Sequence, residues 1–206
     1  MITIGGRHEL SPAVVASMHE FRHEIFARRL GWSLPMLDGV ERDEYDNDDT
    51  VYFVVCDALG SVTACARLLP TVTRCMLTDL FSELLGGKPP PRDPTIWELS
   101  RFATSVRKTR DGRILSLSQP TVDLLDAVIE FVRGRGLKRL VLVTSVAIER
   151  LLIRSGFYAH RLAPPCRTTD GLLVAVFIEV DPESGITIEE QPSHSDSDST
   201  ESSSNG

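Results

Sequence analysis

Apolar residues recur at helical spacing directly after Ser11-Pro12: Val14, Val15, Met18, Phe21, Ile25 and Phe26 share one side of a helix. Ser11 suits the N-cap, proline suits the first helical position, and Gly31 ends the segment. The pattern then turns β-rich over Val51 to Asp57 and Ser61 to Leu69, around Ala58-Leu59-Gly60, a hairpin signal that makes the first core strands antiparallel. A short helix near Leu77 to Leu85, a proline-rich loop from Lys88 to Pro94 and an extended run from Thr95 to Ser105 follow. Val122, Leu125, Val128, Ile129 and Val132 stripe an amphipathic helix over Gln119 to Arg133, with Gly134 and Gly136 ending it. Leu137 to Thr144 reads as a buried strand. Either Thr144 or Ser145 caps a further helix to Arg154, closed by Ser155-Gly156, and Phe157 to Leu162 with Gly171 to Val180 makes a last strand pair.

A hairpin, then strand, helix, strand, helix and two strands, predicts an α/β (α+β) domain with a mixed central sheet flanked by helices. The 206 residues and 42% apolar content suit a single core. Residues 1–182 are expected to form that domain. From Ser193 onward no large apolar side chain occurs, and residues 183–206 read as an acidic, Ser-rich disordered tail.

Charge changes this picture only once it is located. The formal net charge is −7, but seven of the 29 acids lie in residues 181–206, which hold no Lys or Arg. Residues 1–180 therefore carry 22 basic and 22 acidic groups, and bulk charge gives no case for nucleic acid or a membrane surface. Cys56, Cys65, Cys75 and Cys166 show no zinc-ligand spacing and read as reduced thiols, so no metal site is expected. No signal segment opens the chain, and the apolar run from Leu140 is too short to span a bilayer, which points to a soluble, cytoplasmic protein. Locally, Asp38, Glu41, Asp43, Glu44, Asp46, Asp48 and Asp49 surround a single Arg42. Basic residues collect later, at Arg101, Arg107, Lys108, Arg110 and Arg113, and at Arg133, Arg135, Lys138, Arg139, Arg150 and Arg154.

Five segments carry a more specific signal: Arg22-His-Glu-Ile-Phe26, Arg29-Leu-Gly-Trp32, Glu41-Arg-Asp43-Glu-Tyr-Asp46, Arg67-Leu-Leu-Pro-Thr71 and Trp97-Glu-Leu-Ser-Arg-Phe102. Together they resemble the signature of the acyl-homoserine-lactone synthases, the LuxI-type autoinducer synthases. The resemblance covers roughly residues 8–180 and is densest over 22–102; Tyr45 stands where a Phe is common, and the acidic tail has no counterpart. The element order likewise resembles the GNAT acyltransferase fold.

The resemblance implies that S-adenosylmethionine is N-acylated by a fatty acyl group carried on acyl carrier protein, after which its homoserine portion closes into a lactone and methylthioadenosine leaves. S-adenosylmethionine is then a substrate, and no cofactor is implied. The attacking amine is protonated near neutral pH, so a carboxylate must take a proton before attack. Glu98, inside a strand-like run, is the candidate base; its alternative role is an ion pair with Arg101 or Arg67. Asp43 and Asp46 either supply negative charge toward the sulfonium and amine, or form a turn and pair with Arg22, or both. Asp46, Arg67 and Arg101 complete the candidate catalytic set as organisers of the site, and either Arg22 or Arg101 is suited to a substrate carboxylate. Phe26 and Trp32 form an aromatic wall or plain core packing, and Phe102 joins the candidate donor-binding set.

Phe102, Val143, Thr144, Val146 and Ile148 are candidates for an apolar acyl tunnel, suited to a medium chain such as hexanoyl or octanoyl. Thr144 resembles the position where family members contact a 3-oxo group, and a helix cap is its alternative. Arg133, Arg135, Lys138, Arg139, Arg150 and Arg154 offer a docking surface for an acidic carrier protein, or are scattered surface charge. An acyl-CoA-dependent GNAT N-acyltransferase is the rival activity, but its Q/R-x-x-G-x-G/A pyrophosphate loop is missing from residues 105–116, which hold one glycine. No G-x-G-x-x-G supports a Rossmann methyltransferase. A non-enzymatic module would leave Glu98, Asp43 and Arg101 as fold stabilisers.

Overall fold

Tyr52, Phe53 and Val54 point alternately to two sides of one sheet, and separate helices cover each side. The computed structural model describes residues 1–32, 34, 36–37, 40–104, 119–169 and 171–180. The tail expected at 183–206, the stretch from Ser105 to Leu117 with its basic residues, and Asp38 lie outside the described residues.

The chain opens with β1 (Ile2–Gly5) and α1 (Pro12–Arg22), which continues as π-helical turns over His23–Arg29. A two-stranded ribbon of β2 (Met36–Leu37) and β3 (Val40–Glu41) precedes the hairpin of β4 (Val51–Cys56) and β5 (Val62–Pro70). Next come α2 (Met76–Leu80), a 3-10 turn at Ser82–Leu85, β6 (Ile96–Thr104) and α3 (Gln119–Gly134). The described chain ends with β7 (Arg139–Ser145), α4 (Val146–Arg154), β8 (Ala159–Arg161), β9 (Cys166–Thr168) and β10 (Gly171–Glu179).

Ser11 caps α1 as its position predicts, its Oγ accepting the Val14 N–H at 3.3 Å. Gly31 takes φ 71°, the left-handed conformation that glycine adopts without a steric penalty. On α4 the cap is Ser145, whose Oγ accepts the Ile148 N–H at 3.3 Å, so Thr144 does not cap it. The expected helix from Leu77 to Leu85 is two short pieces, and the strand expected over Phe157 to Leu162 keeps only three residues. On α3, Thr121 and Leu124 are buried, while Val122 and Ile129 of the expected stripe are only half-buried. β1, β2, β3 and β9 are too short to show a period; their pairing partners, not their own pattern, define them.

The main sheet runs β1-β4-β5-β6-β7-β10-β8, with β9 also paired to β10. Every pairing is antiparallel except β6 with β7, the strands joined across α3. One face packs Phe53, Ala66, Leu68, Leu99, Leu142 and Val176 against α3 and α4. Each fully buried side chain there, such as Phe53 or Leu124, contributes roughly 1.5–3 kcal/mol through loss of apolar surface from water. The other face carries Val54 and Cys65 beneath α1, and Val141 and Ala175 beside α2.

The parallel pairing is short. It joins Ile96, Trp97 and Glu98 to Arg139, Leu140 and Val141; β6 then continues beside β5 and β7 beside β10. The two strands therefore part just after Glu98, in the middle of the sheet. No described helix is long and apolar enough to cross a membrane.

Candidate active site

Arg22 lies on the last turn of α1, on the helix face that also buries Met18, Ile25 and Phe26, so its guanidinium is carried under the helix onto the sheet. The acidic loop after β3 meets it there. Arg22 contacts Glu41 through Nε at 2.5 Å and Nη2 at 3.1 Å, and grips both Asp46 oxygens at 2.7 and 3.0 Å. Arg67, on β5, reaches Asp43 at 2.5 Å and Asp46 at 3.0 Å, while its Nε donates to Ser100 Oγ at 3.0 Å. Arg101, on β6, contacts Glu41 at 3.1 Å and Asp43 at 2.7 Å. Three arginines and three acids thus form one closed, charge-balanced cluster, with Tyr52 donating to Asp46 at 3.0 Å.

Such a cluster is tolerated away from water because nearly every polar atom has a partner. Burial would raise the Asp46 pKa, but Arg22 first, then Arg67, hold it well below the usual carboxylate range. Burial likewise opposes the charge on Arg22, and Asp46 and Glu41 more than offset it. The loop acids also shape their own turn: the Asp43 N–H donates to Asp46 Oδ2 and the Tyr45 N–H to Asp43 Oδ1, both at 3.0 Å. Turn formation and ion pairing hold together. The Arg22 fork is fully engaged and the residue is 1% exposed, so direct contact with a substrate carboxylate would require breaking these pairs.

A bulge in β6 brings Arg101 into the cluster. Arg67 pairs with Ser100 but Cys65 pairs with Ala103, so Arg101 and Phe102 together face the single residue Ala66. Arg101 takes φ 48°, the one described non-glycine residue with positive φ, a conformation costing about 1–3 kcal/mol. Strict alternation would send Arg101 after Leu99, toward α3. The bulge turns it to the face of Ser100 and Glu98, and it turns Phe102 the other way, into the α3-side core.

Glu98 is 1% exposed and pairs with none of the three arginines. Its Oε1 accepts the Leu77 N–H at 2.6 Å and its Oε2 the Met76 N–H at 2.8 Å, the first two amides of α2. Burial pushes the Glu98 pKa up; the two amides and Arg67 pull against it without cancelling it. Met76 also joins this carboxylate to the cluster, because its thioether lies 3.1 Å from Arg67 Nη2 and 3.6 Å from Arg101 Nη1. The alternative role, an ion pair of Glu98 with Arg67 or Arg101, is not what the structure shows; the carboxylate is capped by amides of a helix whose contact with β6 the sequence did not reveal.

Phe26 and Trp32 stack, with ring centroids 5.1 Å apart and planes 18° from parallel, and the Arg101 guanidinium carbon sits 5.6 Å from the Phe26 centroid. Phe26 is buried and Trp32 is 40% exposed, so the pair runs from the charged cluster to the surface. Phe102 is not part of it, for the reason given by the bulge. The candidate acyl-chain residues divide as well: Val143 packs on the α2 side with Val141 and Leu77, whereas Val146 and Ile148 pack with Phe102 on the α3 side. Thr144 is half-buried.

Of the basic residues, Arg133 donates to the Val180 carbonyl at 2.8 Å, Arg135 lies 4.3 Å from the Phe131 centroid, and Arg139 binds Glu179 at 2.9 Å. Lys138, Arg150 and Arg154 are exposed; Arg150 and Arg154 have no side-chain partner among the described residues, while the charge of Lys138 acts on Asp93. A cavity of about 480 Å³ opens beside the acidic loop, lined by Arg7, Met36, Arg42, Asp43, Glu44 and Asp46 among others; Glu98 is not among its described lining residues. Sequence reasoning gave no role to Glu41, although it leads the E-x-D-x-x-D segment and is 0% exposed. For Met76, Tyr52 and Ser100 the sequence carried no signal.

A family model described as autoinducer synthase matches residues 7–188. An acyl-homoserine-lactone synthase of Ralstonia solanacearum is 44% identical over 182 residues, spanning 86% of each chain. A crystal structure of the AHL synthase LasI aligns with a TM-score of 0.78 at 33% identity, covering 88% of this chain and 90% of that one. A CoA-dependent acyl-homoserine lactone synthase, BjaI, solved with SAM and isopentyl-CoA, aligns with a TM-score of 0.77 at 27% identity, covering 89% and 84%. These neighbours share the GNAT-like acyltransferase fold.

Proposed function

This chain belongs to the autoinducer synthases, the acyl-homoserine-lactone synthase family of acyltransferases, and from that membership we propose that it acylates the amine of S-adenosylmethionine with a medium-chain fatty acyl group from acyl carrier protein and then closes the lactone. The observation that carries the reading is Glu98: a buried carboxylate of raised basicity at the point where β6 and β7 part, beside a charge-balanced cluster.

Each Glu98 oxygen accepts one backbone N–H, which leaves a lone pair on each for a substrate proton. The donor ammonium gives up its proton to Glu98, directly or through one water, and the freed nitrogen attacks the thioester carbonyl. Collapse of the tetrahedral adduct forms the amide and expels the carrier thiol. The homoserine carboxylate then attacks its own γ-carbon, and the sulfonium leaves as neutral methylthioadenosine. Ring closure needs no enzyme nucleophile; it needs the chain bent so that the reacting atoms meet. Arg22, Arg67, Asp43 and Asp46 act by keeping Arg101 and the Phe26–Trp32 stack in place around that bent donor. Cys65 is unsuited to an acyl-enzyme route, because burial pushes its pKa up to about 12.

Exposed Lys138, Arg150 and Arg154 form the docking surface for the acidic carrier protein. BjaI is described as CoA-dependent, so acyl-CoA is the second donor to compare. Mass spectrometry of the organic extract from a heterologous host expressing this chain tests the reading. An N-acyl-homoserine lactone of six or eight acyl carbons is the expected product, and soluble protein with no lactone in the extract would overturn the assignment.

A further inference from the structure

Tyr45, inside the acidic loop, uses its hydroxyl outside the charged cluster. The hydroxyl donates to Asp79 Oδ2 at 3.3 Å, and Arg74 Nε donates to the same oxygen at 2.9 Å. Tyr45 is 1% exposed, and two guanidinium carbons lie near its ring, Arg67 at 5.8 Å and Arg74 at 5.7 Å from its centroid. Asp79 thus ties a site on α2 to the loop that supplies Asp43 and Asp46.

The same helix holds Glu98. α2 has five residues, too few to maintain a helical turn on backbone bonding alone, so its orientation depends on what its side chains grip. Leu77 is buried against the sheet, the Met76 thioether contacts Arg67, and Asp79 is gripped from the other side by Arg74 and Tyr45. We propose that Asp79 is a positioning residue for Glu98: anchored by Arg74 and Tyr45, it fixes α2 so that the Met76 and Leu77 amides stay on the two carboxylate oxygens. It touches no substrate, and its positioning effect runs through that amide pair.

The charge on Asp79 adds a second, separable effect. Among the described residues, the titratable groups coupled to Glu98 include Arg67 from β5, and Cys75 and Asp79 from the α2 segment. The carboxylate of Asp79 opposes ionisation of Glu98, in the same direction as burial.

Backbone amide exchange at Met76 and Leu77, followed by NMR in the full-length protein, tests the anchor in wild type, Asp79→Ala and Asp79→Asn. Protection at both amides should fall about tenfold or more in Asp79→Ala, as expected for a local opening. It should recover in Asp79→Asn, which keeps an acceptor oxygen for Arg74 and Tyr45. Unchanged protection in Asp79→Ala overturns the proposal, as does a loss spread equally over the β4 and β5 amides. The kinetic arm rests on the reading of Glu98 as proton acceptor: kcat should fall about tenfold in Asp79→Ala with KM for S-adenosylmethionine unchanged. In Asp79→Asn the acidic limb of kcat/KM should move to lower pH. A wild type that makes no lactone defeats the reading of Glu98, and the exchange result then decides the role of Asp79 by itself.

Discussion

Met76 donates its backbone N–H to Glu98 Oε2 at 2.8 Å while its sulfur rests 3.1 Å from Arg67, so one residue links the candidate base to the buried ionic cluster. Disturbance of the cluster therefore reaches Glu98 through α2. Arg67 also acts on Glu98 directly, because it is among the groups that hold the Glu98 pKa down against burial.

Removing one member of the cluster should cost far more than an exposed ion pair does. Arg22→Ala leaves Glu41 and Asp46 buried without their main partner, and a loss of about 3–5 kcal/mol is expected in chemical denaturation. Arg22→Lys keeps the charge but not the fork that meets two carboxylates, and should fall between. A loss in Arg22→Ala no larger than that of Arg7→Ala, which breaks the exposed Arg7–Asp48 pair, would contradict the account of the cluster.

Stability and activity should respond to acid in different pH ranges. Asp46 has a depressed folded pKa, so its stabilisation is complete above the unfolded value near about 3.9 and is lost as pH falls toward the folded one. Glu98 has a raised pKa, so the base is ionised only above the 4.5 of a solvated glutamate. The acidic limb of kcat/KM should thus lie above the onset of acid unfolding. Superimposable curves from pH–rate and pH–denaturation series would show that unfolding, not Glu98, limits the rate in acid.

Carrier recognition should weaken with salt. Arg150→Glu combined with Arg154→Glu reverses two exposed, unpaired charges, and KM for the acyl carrier protein should rise by roughly an order of magnitude, with little change in melting temperature. The same change in Arg133 and Arg139 would also break contacts to Val180 and Glu179, so it would not report on docking alone. Equal KM values for the Arg150/Arg154 variant and wild type across salt would remove α4 from the docking surface.

Much of the site was legible because ionic residues at motif spacing, Arg22, Asp43, Asp46, Arg67 and Arg101, meet in one cluster. The bulge was not legible. Period-two alternation places Phe102 on the side of Glu98 and Arg101 on the side of Leu99, and one extra residue in β6 exchanges them. The division of the acyl-chain candidates was not read either: the sequence groups Val143 with Val146 and Ile148, but Val143 lies on β7 and the other two on α4, and they pack on opposite faces of the sheet. The amide cap on Glu98 comes from a helix 21 residues earlier in the chain, with no periodic signal to announce that contact.

The most direct test is the formation of lactone by purified protein given S-adenosylmethionine and hexanoyl or octanoyl carrier protein, with Glu98→Gln beside wild type. Gln offers one acceptor where Met76 and Leu77 present two donors, so a stability loss of about 1–3 kcal/mol is expected in a protein that still folds. Lactone formation should drop by about 10²–10⁴, the usual scale for loss of a general base. A folded Glu98→Gln protein that makes lactone at the wild-type rate would contradict the account.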